Sequence, residues 1–324
     1  MRAAGSPFAA LRDAAIVALR EGLGVGPSDA ELDEYREPAG DPGLFGPGSL
    51  VWRVHADLPV MLIGGFSALM LQTLHPLAMA GVADHSRYRE DPLGRLQRTA
   101  RYVAGTSFGG MPLVEELIGT VKRVHVHVHG VTTDGRVYTA ADPDLLTWVH
   151  TTEMWSILRS YQRYSLHPLL AEEKDRYLAE VAVLGKRLGG RGIPERVASV
   201  RAYFASVQPE LAATPAAKEA VAFLRQPLGS SLSDLAAHRV ITAAAIELLP
   251  AWARRLLGLR VCPPNSAGIV PIAGPLLTRA VALSLGGLLR GVVGPSLVRA
   301  VATERVRTPA ACAPRLARPG TGRT

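Results

Sequence analysis

Cysteine is almost missing from this chain: 2 in 324 residues, Cys262 and Cys312, with no CxxC pair. That excludes a disulfide framework and a thiolate zinc cluster as organising principles. So few thiols suit a reducing, cytoplasmic setting. Lysine is scarce too, so the formal net charge of +8 and the pI near 9.9 rest on arginine. The arginines are scattered apart from a late tail, and no aromatic residues interleave with them. A nucleic-acid partner is therefore not expected. Several motifs are also missing. There is no HExxH, no GxSxG, no P-loop, and no glycine fingerprint after a strand. Zincin, α/β-hydrolase, P-loop and Rossmann chemistries lose their sequence warrant. No heptads and no repeat are found.

What is present is an ordinary globular balance, 48% apolar and 20% charged, over a length that suits one large domain or two small ones. The first residues, MRAAGSPFAALRDAAIVALREGLG, are interrupted by charges and read as no signal peptide. One stretch, Leu58 to Ala83, carries no formal charge and is long enough to span a bilayer. It contains Pro59, Gly64, Gly65, Gln72, His75 and Pro76, and His75-Pro76 should break it. A buried core helix is the expectation, with peripheral membrane contact left open.

The rest reads as helices with clear stops. Residues 1 to 24 are helical in pattern and 25 to 50 read as a surface arm. Asp91-Pro92 is a start signal for a helix over 92–104, followed by a break from Gly105 to Pro112. A helix over 112–129 should be closed by Gly130. Asp134-Gly135 marks a turn with a short extended pair. Asp142-Pro143 opens a helix to Tyr164, and another runs from Pro168 to Leu188. Further helices are expected over 196–207, 214–225, 231–248 and 250–258, then an apolar segment over 268–300 and a disordered tail over 307–324. The fold class is all-α: a single large globin-like multi-helix bundle around a buried apolar helix.

VHVHVHG, residues 124 to 130, sets His125, His127 and His129 at alternate positions. Strict alternation suits a strand, and on a strand the three could chelate a metal. The preceding Val114, Leu117, Ile118, Val121 and Val124 instead have helical spacing. On that helix His125 joins the apolar face, as a ligand or a satisfied core histidine. His127 falls on the polar face, and His129 enters the last turn as a cap. One helix earlier, Arg95, Arg98, Thr99 and Tyr102 form a stripe. Two guanidiniums with a hydroxyl and a phenol suit carboxylate binding or polarisation of an oxygen; an ordinary solvated face is the alternative. His75, His85 and His150 read as hydrogen-bonded structural histidines. A non-haem metal cluster of His75, His85, His125 and His150 with Asp84 or Glu153 is a rival, though no standard spacing supports it.

Several stretches taken in order resemble one family: DPGLFGPGSLVWRVHAD (41–57), LQTLHPLAMAGVADHSRYREDPLGRLQRTARYV (71–103), VHVHVHG, DGRVYTAADPDLLTWVH (134–150) and EEKDRYLAEVAVLG (172–185). They are similar to the MpaB-type and rubber-oxygenase catalytic domain, over roughly 41–260. An N-terminal helix and arm over 1–40 would then precede the domain, and apolar C-terminal helices over 261–306 would pack on it. The resemblance implies haem b as cofactor, its iron held by His125, with dioxygen and a small hydrophobic, isoprenoid or alkene-containing substrate as partners. It places Arg95, Arg98, Thr99 and Tyr102 in the cofactor pocket, with Arg98 and Thr99 nearest the chemistry. Rubber oxygenases carry Lys where Arg98 stands, and Arg cannot shed its proton to ligate iron. Met79 stands where those enzymes place a glutamate base. Both departures point away from polymer cleavage and towards a smaller substrate. A non-catalytic carrier of apolar ligands, or a membrane-peripheral helical protein, is the reading from another class.

Overall fold

The computed structural model describes residues 29–227, 232–259 and 297–309. The helix expected over 1–24, both cysteines, and most of the 268–300 segment and of the tail lie outside the described residues. The fold is all-α: the described residues are about 70% helical, with thirteen α-helices and one two-stranded sheet among them.

The centre is a pair of crossing helices, α3 (Leu58–Gln72) and α7 (Pro143–Tyr164). Each begins on an aspartate followed by proline in the first turn. Asp57 accepts from the Val60 amide, and Asp142 accepts from the amides of Asp144 and Leu145. A Cβ on Gly64 would lie 2.8 Å from the Ile157 Cα, so this glycine is what lets the two backbones approach. The Trp148 indole N–H donates to the Gln72 carbonyl at 3.2 Å. The uncharged stretch is thus core, as expected, and it breaks as expected. α4 (Pro76–His85) leaves α3 at 104°. Among the described residues no single helix is long and apolar enough to cross a membrane; the bent α3–α4 pair passes by length and composition alone.

Around this pair lie α1 (Asp29–Glu34), α2 (Leu50–His55), α5 (Pro92–Phe108), α6 (Met111–Val126) and α8 (Ala171–Leu188). α9 (Val197–Val207), α10 (Pro215–Leu224), α11 (Leu232–Leu248), α12 (Ala251–Leu257) and α13 (Leu297–Arg307) complete the set. α9 to α12 sit where the helical patterning put them. α5 does not stop at 104 but runs to Phe108. Gly105 is not a breaker: a Cβ there would meet Leu117 Cδ1 at 2.2 Å, so it is a contact point for α6. The turn is only Gly109-Gly110, and it makes α5 and α6 an antiparallel hairpin.

A second correction falls on the histidine run. α6 ends at Val126 with His127 as C-cap, not at Gly130. Residues His129–Val131 form β1, paired antiparallel with β2 (Val137–Thr139) around Gly135 at φ +86°. Gly130 faces Tyr138, and a Cβ there would lie 2.6 Å from the phenol oxygen. Gly130 therefore makes room for a ring rather than ending a helix.

Arg305 on α13 ties the arm to this body. Its side chain is 1% exposed and donates to the carbonyls of Tyr35, Asp41 and Phe108 at 2.8, 2.9 and 2.9 Å. The Phe108 carbonyl is one that the end of α5 leaves unpaired.

Candidate functional site

The α5–α6 hairpin positions the residues singled out above. Gly105 against Leu117, and Tyr102 packing with Val114 and Ile118, set the antiparallel register. His125 lies in the last turn of α6 and Arg95 in the first turn of α5.

His125 is half-buried, and burial holds its imidazole below the ordinary histidine pKa, so it is neutral near pH 7. Its side chain makes no hydrogen bond among the described residues. It is therefore not the satisfied core histidine that the apolar face allowed. The apolar face is shorter than its spacing implied: Val114, Leu117 and Ile118 are buried, but Val124 is 54% exposed. His127 and His129 are both exposed. His129 stands in a strand, not in a last helical turn, and its carbonyl accepts from His85 Nε2 at 3.2 Å.

The stripe on α5 divides. Arg95 turns inward: it is half-buried, donates to the Ser86 hydroxyl, and pairs with no carboxylate among the described residues. Burial, then repulsion from Arg98, pull its pKa down. Tyr102 also turns inward. Its hydroxyl is buried without a hydrogen-bond partner, and burial, then Glu153, push its pKa up. Arg98 and Thr99 are exposed. Arg98 pairs with Asp91 at 3.2 Å, and the Thr99 hydroxyl donates to the Arg95 carbonyl at 3.0 Å. Residues one turn apart share a side of a helix, but α5 is wedged edge-on, so the stripe straddles the boundary between interior and solvent.

Behind Tyr102 lies a polar interior that periodicity did not reveal. Glu153 on α7 has no hydrogen bond or ion pair among the described residues, and burial pushes its carboxyl up to about 7. Glu153 is partly buried. Tyr177 stands near it, its phenol raised by burial, then by Glu153. The Tyr177 hydroxyl meets His55 Nε2 at 2.9 Å, and His55 Nδ1 meets the Ser107 hydroxyl at 2.7 Å. His55 is lowered to about 3 by burial, then by His150. His150 is lowered to about 4 by burial, and its Nε2 has no partner. These side chains come from α2, α5, α7 and α8. Glu153 entered the sequence reading only as one member of a metal cluster. Its usable signal was a lone carboxylate between Trp148 and Trp155 on an otherwise neutral stretch.

The metal-cluster reading is overturned. Among the described residues no three His, Cys, Asp or Glu side chains converge. His75 leans on Trp148 at 5.9 Å, and His85 faces the Tyr138 ring, whose hydroxyl donates to Asp84 at 2.5 Å. What remains is His125, with no hydrogen bond to its ring, and Arg95, with no carboxylate partner, among the described residues.

A family model for the catalytic domain of ER-bound oxygenase mpaB/B′ and rubber oxygenase matches residues 52–284. The chain belongs to this family. The mpaB/rubber-oxygenase domain thus begins within α2 and takes in everything through α12, with every site residue named above. α1 and α13 lie outside the match. Neither a curated protein nor a solved structure matches this chain. Oxygenases are oxidoreductases that join dioxygen chemistry to a small-molecule substrate.

Proposed function

We propose that this mpaB/rubber-oxygenase domain is a haem b-dependent oxygenase acting on a small hydrophobic, alkene-containing molecule. One observation carries the reading. His125 makes no hydrogen bond through either ring nitrogen and belongs to no chelating set among the described residues, and one protein ligand is what iron already held by a macrocycle needs. His125 would hold the iron from one side. The half-buried, uncompensated Arg95 is placed for a propionate. Arg98 and Thr99 stand at the rim, where Arg98 adds a second cation already shared with Asp91. When bound, the haem supplies the redox chemistry with dioxygen.

The chain's own groups do the rest. Tyr102 presents an O–H donor aimed inward, where it can orient an oxygen acceptor. Apolar side chains of α3 and α4 exclude water and seat an apolar substrate. Arg98 in place of Lys keeps a fixed positive charge at all working pH values.

The first test is the absorption spectrum with a pyridine haemochrome assay. A Soret band at one haem per chain supports the reading; a colourless protein that takes up no haem favours the carrier reading. The residue assignment is tested by His125→Ala against His127→Ala. The first should lose haem and the second keep it. Equal haem content in the two would sink the assignment.

A further inference from the structure

On the far side of α7 from Glu153 a groove of about 750 Å³ opens between α7, α9 and α12. Its walls are Trp155, Arg159, Arg201, Phe204, Trp252 and Arg254. Glu153 and Trp155 are two residues apart, so they sit about 200° apart around α7. The groove is therefore separate from the interior around Tyr102. Phe204 meets Trp155 edge-on and Trp252 at a tilt of 59°, each with ring centroids 6.1 Å apart, and these rings make an aromatic floor.

The charge above that floor is unbalanced. Arg159 and Arg201 are solvent-exposed; partial desolvation of Arg159, then the guanidiniums of Arg201, Arg163 and Arg254, hold it below the ordinary arginine pKa. One carboxylate, Glu247, lines the groove, and it is engaged by Arg163 at 2.5 Å. The Arg254 side chain donates to the Glu247 main-chain carbonyl at 2.9 Å, not to its carboxylate. Neither Arg159 nor Arg201 has an anionic partner among the described residues. The segment that follows α12, residues 260–296, contains no Asp and no Glu. Clustered guanidiniums repel one another, and a doubly accepting anion turns that repulsion into paired hydrogen bonds. A volume of this size takes a small organic ligand, not a bare ion.

We propose that this groove binds an amphipathic anion, a phosphate or carboxylate head between Arg159, Arg201 and Arg254 with its apolar body on Trp155, Phe204 and Trp252. This is a site apart from the oxygenase site, and it does not rest on the haem reading.

Calorimetric titration of the full chain with octyl phosphate, octanol and inorganic phosphate tests it. Octyl phosphate should bind one site, at least tenfold tighter than either fragment. Arg159→Gln with Arg201→Gln should weaken octyl phosphate at least tenfold and leave octanol unchanged. Removing self-repelling cations should not lower the melting temperature, so loss of binding is not loss of fold. Trp252→Leu should weaken octyl phosphate and spare inorganic phosphate. Co-sedimentation with phosphatidylglycerol against phosphatidylcholine vesicles separates the two sources of such a head. Binding to free octyl phosphate assigns a soluble ligand. Binding to phosphatidylglycerol vesicles alone, lost in the double variant, assigns a lipid surface. Equal affinity for octyl phosphate and octanol, or indifference to the arginine substitutions, overturns the proposal. So does binding in neither arm.

Discussion

Glu153 shows how far burial can move one group and what that does to the molecule. Its carboxyl rises from 4.5 to about 7, so the folded chain holds a proton that the unfolded chain releases. The stability tied to that proton is present below pH 4.5 and is lost as pH rises through 7, up to about 3 kcal/mol in all. His55 and His150 act in the opposite sense. Their pKa values fall from 6.5 to about 3 and about 4, so their contribution is complete above pH 6.5 and is lost as pH falls. Glu153→Gln removes the first term and leaves the second. Its melting temperature should draw ahead of the wild type steadily between pH 5 and pH 8. A constant offset across that range would show that Glu153 titrates normally. His125 was selected by helical spacing before any geometry, whereas Glu153 was not, because depth inside a fold leaves no periodic trace.

Two adjacent glycines in α3 separate packing from propensity at the scale of an element. Gly64 touches the backbone of α7, and Gly65 has nothing near the place its Cβ would occupy. Gly64→Ala should cost roughly 1–3 kcal/mol by forcing α3 from α7. Gly65→Ala should stabilise by up to about 1 kcal/mol, since helix propensity alone changes there. Thermal or urea midpoints of the pair check this, and losses of equal size would refute the close-approach role of Gly64. The same logic explains the misread ends of α5 and α6. Gly105 and Gly130 were taken as a break and a cap, which is what glycine does when nothing packs on it. In the fold, Leu117 and Tyr138 occupy the space that their missing side chains leave. Asp-Pro starts, by contrast, were read correctly at Asp91 and Asp142, because capping involves only residues within one turn.

For the whole molecule, Arg305 ties together segments remote in sequence. It collects carbonyls from the residue after α1, from the arm and from the end of α5. Arg305→Ala leaves those carbonyls buried without a donor and should cost on the order of 3 kcal/mol. Arg305→Lys keeps the charge but loses the fork, and should fall between the two. A melting temperature unchanged by Arg305→Ala would mean that α13 and the arm are not part of the cooperative unit. Because Arg305 lies outside the family match, this tests whether the oxygenase domain depends on chain beyond its own boundary.

The sequence by itself determined the all-α class, most helix limits after Asp142, the break at His75-Pro76 and the family. Each depends on local chemistry: capping within a turn, spacing along a face, the rigidity of proline, or a run of residues in order. The tertiary structure alone decided which side of α5 faces inward, parting Arg95 and Tyr102 from Arg98 and Thr99. It also gathered Glu153, Tyr177, His55 and His150 from three helices, and set unpaired arginines over an aromatic floor. Those outcomes depend on which helices meet and at what depth. Charge, burial and the loss of a hydrogen-bond partner are properties of that meeting, not of any one segment.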